Sequence, residues 1–181
     1  MRFIGLGVVA VCLSASLIAQ APGSTPAAGP KPSPTGTLNE IMRGIYFPSA
    51  NLIFDVQLND PATAARPTGV EGSAAAFSGV YPRWAVVEYA AVALADATDL
   101  LLTPGRLCQN GKPAPVSDPE YRKYAENMRK VGLATLEIVR TKDREKVSDA
   151  TSDLVDACQN CHQVYRRGDE TKPTRCVAPA R

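Results

Sequence analysis

The sequence is short of the residues from which most catalytic sites are built. It holds a single histidine and a single tryptophan, and aromatic residues make up 6% of its 181 residues. No second histidine exists, and no nucleophile is set beside a base in a pattern that suggests hydrolysis. The protein is therefore not expected to be an enzyme. An excess of one charge is also lacking: Lys and Arg number 20, Asp and Glu 18, and the net charge is +2. A nucleic-acid binder needs a concentrated basic face, so no nucleic-acid partner is expected. Glu88, Asp96 and Asp99 fall at helical spacing and read as solvated faces. No strong strand pattern is present, and the length suits one domain with a real core rather than two.

Long apolar runs are missing except at the N-terminus. Arg2 supplies a positive start, Phe3 to Ile18 are almost wholly apolar or small, and Ala19, Gln20 and Ala21 resemble a cleavage signal. The run is short for a membrane span of roughly 20 residues. Residues 1–21 are expected to be a signal peptide, with no stable membrane insertion after cleavage. Residues 22–36 carry five prolines, Pro22, Pro26, Pro30, Pro32 and Pro34, among Ala, Gly and Ser. That composition predicts an extended linker. The folded domain is placed at 37–168 and a C-terminal tail at 169–181.

Four segments within that domain have helical character. Thr37 and Glu40 form a capping box pattern. Behind them Leu38, Ile41, Met42, Ile45, Ser49, Leu52, Ile53 and Val56 make one apolar stripe. Pro48 falls inside it and is expected to kink the helix or split it in two. Arg83 to Leu102 is the second segment, with Pro82 suiting its first turn and Trp84, Val87, Ala91, Leu94, Thr98 and Leu101 on one face. The third opens at Ser117, Asp118, Pro119 and Glu120. Its stripe is Tyr121, Tyr124, Met128, Val131, Thr135 and Ile138. Asp143 can cap the fourth, which runs to Arg167 with Gly168 as a stop. Its inner face is Val147, Ala150, Leu154, Cys158, Cys161 and Tyr165. The third and fourth segments are joined by a few residues and are expected to be antiparallel neighbours. Asn59 to Tyr81 is a long connection rich in Ala, Gly, Pro and Ser. The expected fold class is all-α, an antiparallel four-helix bundle.

The informative motif lies on the fourth segment: Cys158, Gln159, Asn160, Cys161, His162. C-x-x-C-H is the attachment pattern of c-type haem. On a helix, positions i and i+3 share a face, so two sulfurs can reach the two vinyl groups of one porphyrin. His162 is one turn beyond Cys158, where its imidazole can reach the iron from the same side. A zinc site drawn from Cys108, Cys158, Cys161 and Cys176 is one alternative, but the spacings match no standard zinc module. A dithiol redox pair is another, although such pairs usually open a helix after a strand. Of five cysteines, Cys12 goes with the signal peptide and two go to haem, so 5 − 1 − 2 leaves two. Cys108 and Cys176 are then an even pair for which a disulfide is expected, with two free thiols as the alternative.

A four-helix pattern ending in Cys158, Cys161, His162, Tyr165 and Arg166 resembles the class II c-type cytochromes, the cytochrome c-prime group. The resemblance covers roughly Thr37 to Arg167. It implies a bacterial, periplasmic, often homodimeric protein with haem c bound covalently near its C-terminus. It also implies His162 as the proximal iron ligand and Arg166 near the haem on that side. In low-spin members a methionine on the first helix is the sixth ligand, and here Met42 is the candidate. Met128 is a weaker one, and otherwise Ile41, Ile45 or Tyr46 closes the distal side. The function this implies is electron transfer with redox partner proteins. The alternative is a five-coordinate, c-prime-like binder of diatomic gas such as NO or CO.

Overall fold

The structure is a computed structural model and describes residues 34–63, 81, 83–167 and 175–177. The signal peptide over 1–21, the linker apart from 34–36, most of the connection from Asn59 to Tyr81, Pro82, Gly168 and most of the C-terminal tail lie outside the described residues. Among the described residues the chain is all-α, with no strand. None of their helices is long and apolar enough to cross a membrane.

The first helical stretch opens with α1 (Leu38–Ile41) under the expected capping box. Thr37 N–H donates to Glu40 Oε2 at 2.7 Å, and Glu40 N–H donates to Thr37 Oγ1 at 3.3 Å. These bonds satisfy backbone donors that have no partner within the helix. The stretch is not split at Pro48. It continues as a π-helical segment, Met42–Tyr46, then as α2 (Phe47–Phe54), and ends in a 3₁₀ turn, Asp55–Gln57. Phe47 N–H donates to the carbonyl of Met42, five residues back. Pro48 lacks an N–H, and in α-helical register its ring presses on the carbonyl four residues earlier. A widened turn just before it relieves that crowding and keeps the helix continuous.

The second segment begins at α3 (Trp84–Asp96), is interrupted at Ala97, and resumes as α4 (Thr98–Leu101). All six residues of its expected face are buried. α5 (Pro119–Arg140) has Asp118 as its N-cap, and α6 (Arg144–Tyr165) has Asp143. Both caps follow the sequence expectation. The turn between α5 and α6 passes through Lys142 at φ 57°.

α2 packs on α3, α3 on α5, α5 on α6, and α6 back on α2. Ile53, Val87, Leu94, Val139, Val147 and Leu154 meet in the centre, each at most 1% exposed. Gly132 is the tightest point: a methyl group there would lie 3.0 Å from the Ala95 backbone nitrogen. Small residues on both helices let α3 and α5 approach this closely.

Candidate functional site

α6 presents a row of residues at helical spacing: Arg144, Ser148, Thr151, Val155, Cys158 and His162. Its first half is sealed against the end of the first stretch. Arg144 donates from Nε to the Val56 carbonyl at 3.0 Å and from Nη2 to the Gln57 carbonyl at 2.8 Å. Gln57 Nε2 donates to Thr151 Oγ1. Its second half is not sealed. No Cα from Leu38 to Tyr46 comes within 8 Å of a Cα on α6, and Val155 is 39% exposed. The first stretch and α6 therefore diverge toward the C-terminal end of α6. Cys158 and His162 continue the row into that opening, with Cys161 on the neighbouring face.

Cys158 and Cys161 are free thiols, half-buried and packed against the core. Burial pushes the Cys158 thiol up. Burial, and then the neighbouring Cys158, push Cys161 up to about 12. Both therefore stay protonated at neutral pH. His162 is half-buried. Burial first, then the charges of Arg166 and Arg167, hold its imidazole below the usual histidine range. A neutral imidazole keeps a lone pair for a metal. Arg166 is the C-cap of α6, exposed, and its N–H donates to the His162 carbonyl at 3.0 Å. Arg167 N–H donates to the same carbonyl at 2.7 Å. The structure thus brings Cys158, Cys161, His162 and Arg166 together at one helix end.

Met42 lies at the start of the π segment. It is half-buried and packs against the core. Met128 is buried on α5 at 5% exposure, as an ordinary core residue.

A group of tyrosines surrounds the site: from the sequence, Tyr121 and Tyr124 are expected on the third stripe, Tyr165 on the inner face of the fourth segment and within the motif, and Tyr46 as one residue able to close the distal side. Tyr121 and Tyr165 meet edge to face with centroids 5.1 Å apart, and Tyr124 meets Tyr165 at 6.2 Å. Tyr46, Tyr121, Tyr124 and Tyr165 all lie near Cys161. Tyr165 donates to Asp118 Oδ2 at 2.9 Å and Tyr121 to the Leu101 carbonyl at 3.1 Å. Tyr46 differs. Its hydroxyl is buried beside that of Thr98, and neither makes a well-formed hydrogen bond to a protein group. Burial raises the Tyr46 phenol well above its usual range. A buried hydroxyl without a good partner is costly unless a polar group or water bonds to it.

No protein-family model, curated protein or solved structure matches the chain. What the site can do is therefore read from its own residues. Cys108 and Cys176 are joined by a disulfide, Cα to Cα 4.8 Å. That bond removes two of the four thiolates the zinc alternative requires. Among the described residues no three His, Cys, Asp or Glu side chains are grouped to hold a metal ion. The Cys158 and Cys161 pair lies in the last two turns of a long helix, not at a helix start, where the dithiol alternative would place it.

Proposed function

We propose that Cys158 and Cys161 attach a haem c covalently, that His162 is its proximal iron ligand, and that the protein is a periplasmic electron-transfer cytochrome with the architecture of an antiparallel four-helix bundle. The observation that carries this reading is the divergence of the first stretch from α6. It opens a slot over the half of α6 that bears the two free thiols and the only histidine. A flat apolar group seated there would cover Val155 and lie near Tyr121 and Tyr165. The residues present fit such a group.

When bound, haem iron supplies one-electron chemistry between its ferrous and ferric forms. The chain's own contribution is position and environment. Cys158 and Cys161, one turn apart, hold the two edges to be linked. His162 offers a neutral imidazole, and Arg166 places a positive charge at the same helix end. Met42, on the facing segment, is the sixth ligand of this reading. A thioether there favours the ferrous form and raises the potential. Partners would be redox proteins that meet the exposed end of α6 in brief encounters.

One observation favours the second reading, a five-coordinate binder of a diatomic gas. Tyr46 offers a buried hydroxyl donor on the same segment as Met42, and a small polar ligand could accept from it. Absorption spectra of oxidised and reduced protein from a host that matures c-type cytochromes decide between them. A low-spin spectrum with a methionine-to-iron charge-transfer band supports electron transfer, and Met42→Ala should then turn the spectrum high-spin and lower the potential. A high-spin spectrum and ready carbon monoxide binding in the unaltered protein support the second reading. Colourless protein refutes both.

A further inference from the structure

The two elements that face each other across the opening are connected by a third, remote from the motif. The loop from Thr103 to Val116 is bonded in three directions. Toward the first stretch, Leu38 N–H donates to the Leu107 carbonyl at 2.8 Å, and Arg106 Nη1 donates to the Gly36 carbonyl. Toward α4, Arg106 Nε donates to the Leu100 carbonyl at 2.8 Å. Toward α6, the link is the Cys108–Cys176 disulfide, whose sulfur-bearing residues are 2% and 5% exposed. Cys176 N–H donates to the carbonyl of Tyr165, the last residue of α6, at 2.8 Å. Gln109 N–H donates to the Cys176 carbonyl at 3.1 Å, and Asn110 Nδ2 to the Arg175 carbonyl at 2.7 Å. The loop is itself stiffened by a turn in which Cys108 N–H donates to the Lys112 carbonyl at 2.7 Å.

We propose that this disulfide-anchored loop is a brace that fixes the width of the slot between the segment carrying Met42 and the helix end carrying His162, and so restricts access of external ligands to the iron. The inference rests on the haem reading given above. No Cα from Leu38 to Tyr46 comes within 8 Å of a Cα on α6, so close backbone contact between the two does not set that spacing. The loop holds both edges instead, one through Leu38 and Gly36 and the other through Cys176 and Tyr165. Arg106 is buried at 4% exposure and is placed in the brace by its two carbonyl acceptors. Cys108, Cys176 and Arg106 are positioning residues: none belongs to the motif, and each acts through the elements it ties. Breaking the covalent member leaves the loop joined to the α6 edge by the Gln109 and Asn110 hydrogen bonds. The Leu38 to Tyr46 end of the first stretch then loses a covalent tie to the end of α6, while α2 stays packed on α3 and α6.

The test compares haem-loaded wild-type protein with the double variant Cys108→Ser, Cys176→Ser. Covalent haem is checked on a denaturing gel. The readouts are the carbon monoxide association rate of the reduced protein and hydrogen exchange of the Leu38 to Tyr46 amides. Both should rise by about tenfold in the variant, while amides in the middle of α3 and α5 keep their protection. Haem-loaded variant protein with both readouts within about twofold of wild type overturns the brace and leaves the haem reading intact. Wild-type protein without covalent haem overturns the haem reading and the brace with it. Where the double variant does not accumulate, Asn110→Ala keeps the disulfide and removes one bond to the tail. It should shift both readouts in the same direction by about twofold to threefold, and no shift overturns the brace.

Discussion

Replacing Gly132 by alanine tests the packing that holds the helices in place. The new methyl group would lie 3.0 Å from the Ala95 nitrogen, 3.1 Å from its Cα and 3.3 Å from its Cβ. Ordinary carbon contacts are about 3.5–4.0 Å, so all three are too short. Two of the three atoms are α3 backbone and cannot rotate away. α5 must therefore move off α3 along the most extensive helix contact of the fold. Overpacking of this kind costs roughly 1–3 kcal/mol, and with three contacts the upper half of that range applies. Alanine returns about 1 kcal/mol over glycine in a helix, leaving a net loss of about 1–2 kcal/mol. For a domain of this size that is a fall in Tm of roughly 3–8 °C. Gly44→Ala is the matched control. It is exposed, and no atom lies within 4 Å of the added methyl group. The same chemical change there should raise stability by up to about 1 kcal/mol. Thermal and urea unfolding of the two variants should move in opposite directions. A Gly132→Ala protein as stable as wild type would refute the close approach of α3 and α5.

Other consequences follow from the caps. Asp118 caps α5 through Oδ1 and accepts from the Tyr165 hydroxyl through Oδ2. Asp118→Ala should cost about 2 kcal/mol in urea unfolding, of which the cap is roughly half; a loss below about 0.5 kcal/mol argues that neither bond persists in solution. Asp143 caps α6 and is held below the usual aspartate range by Lys146, through its side chain first and its backbone N–H second. A depressed carboxyl contributes stability above its unfolded pKa and loses it as pH falls through the folded one. The stability gap between wild type and Asp143→Asn should be present at neutral pH and close in acid, as read from unfolding midpoints against pH. A gap that widens in acid contradicts the assignment.

The sequence shows most clearly what is local to one helix. The capping box of Thr37 and Glu40, the Asp118 and Pro119 start and the Asp143 cap each depend on a few consecutive residues, and each is found in place. The third stripe was less legible. Its buried side takes in Ala125, Gly132, Leu136 and Val139, while Tyr124, Val131 and Ile138 are half-buried. α5 is gripped between α3 and α6, and the closest approach falls on a glycine, which hydrophobic periodicity does not register. The site divides in the same way. Cys158, Cys161 and His162 are visible because one helix holds all three. Tyr46, Tyr121 and Tyr165 come from three elements, and only the fold brings them together. The cysteine pairing was legible as parity, but the loop it braces was not.

Pro48 connects local chain chemistry to the site. The π segment ends just before it, and a π turn holds one residue more than an α turn. Relative to α register, residues upstream of the segment are rotated by roughly 100°, one residue's share of the 3.6-residue turn. Met42 is the first residue of the segment, at its upstream edge, and Tyr46 is the last. Pro48→Ala restores the missing N–H and removes the ring, so the carbonyl of Gly44 can again accept from four residues ahead. The helix should regain α register and become more stable, since proline in a helix interior costs about 3 kcal/mol. On the haem reading proposed above, Met42 would then turn away from the position of a sixth ligand. On the proposed haem reading, the expected result is a variant that unfolds at higher urea, carries covalent haem, and has lost the methionine-to-iron band. Near-ultraviolet dichroism should change too, because the turn that carries Tyr46 is rewound. If the variant instead gains stability with the band and the dichroism unchanged, the π segment is not what aims Met42, and the orientation of that face must come from its packing on α3.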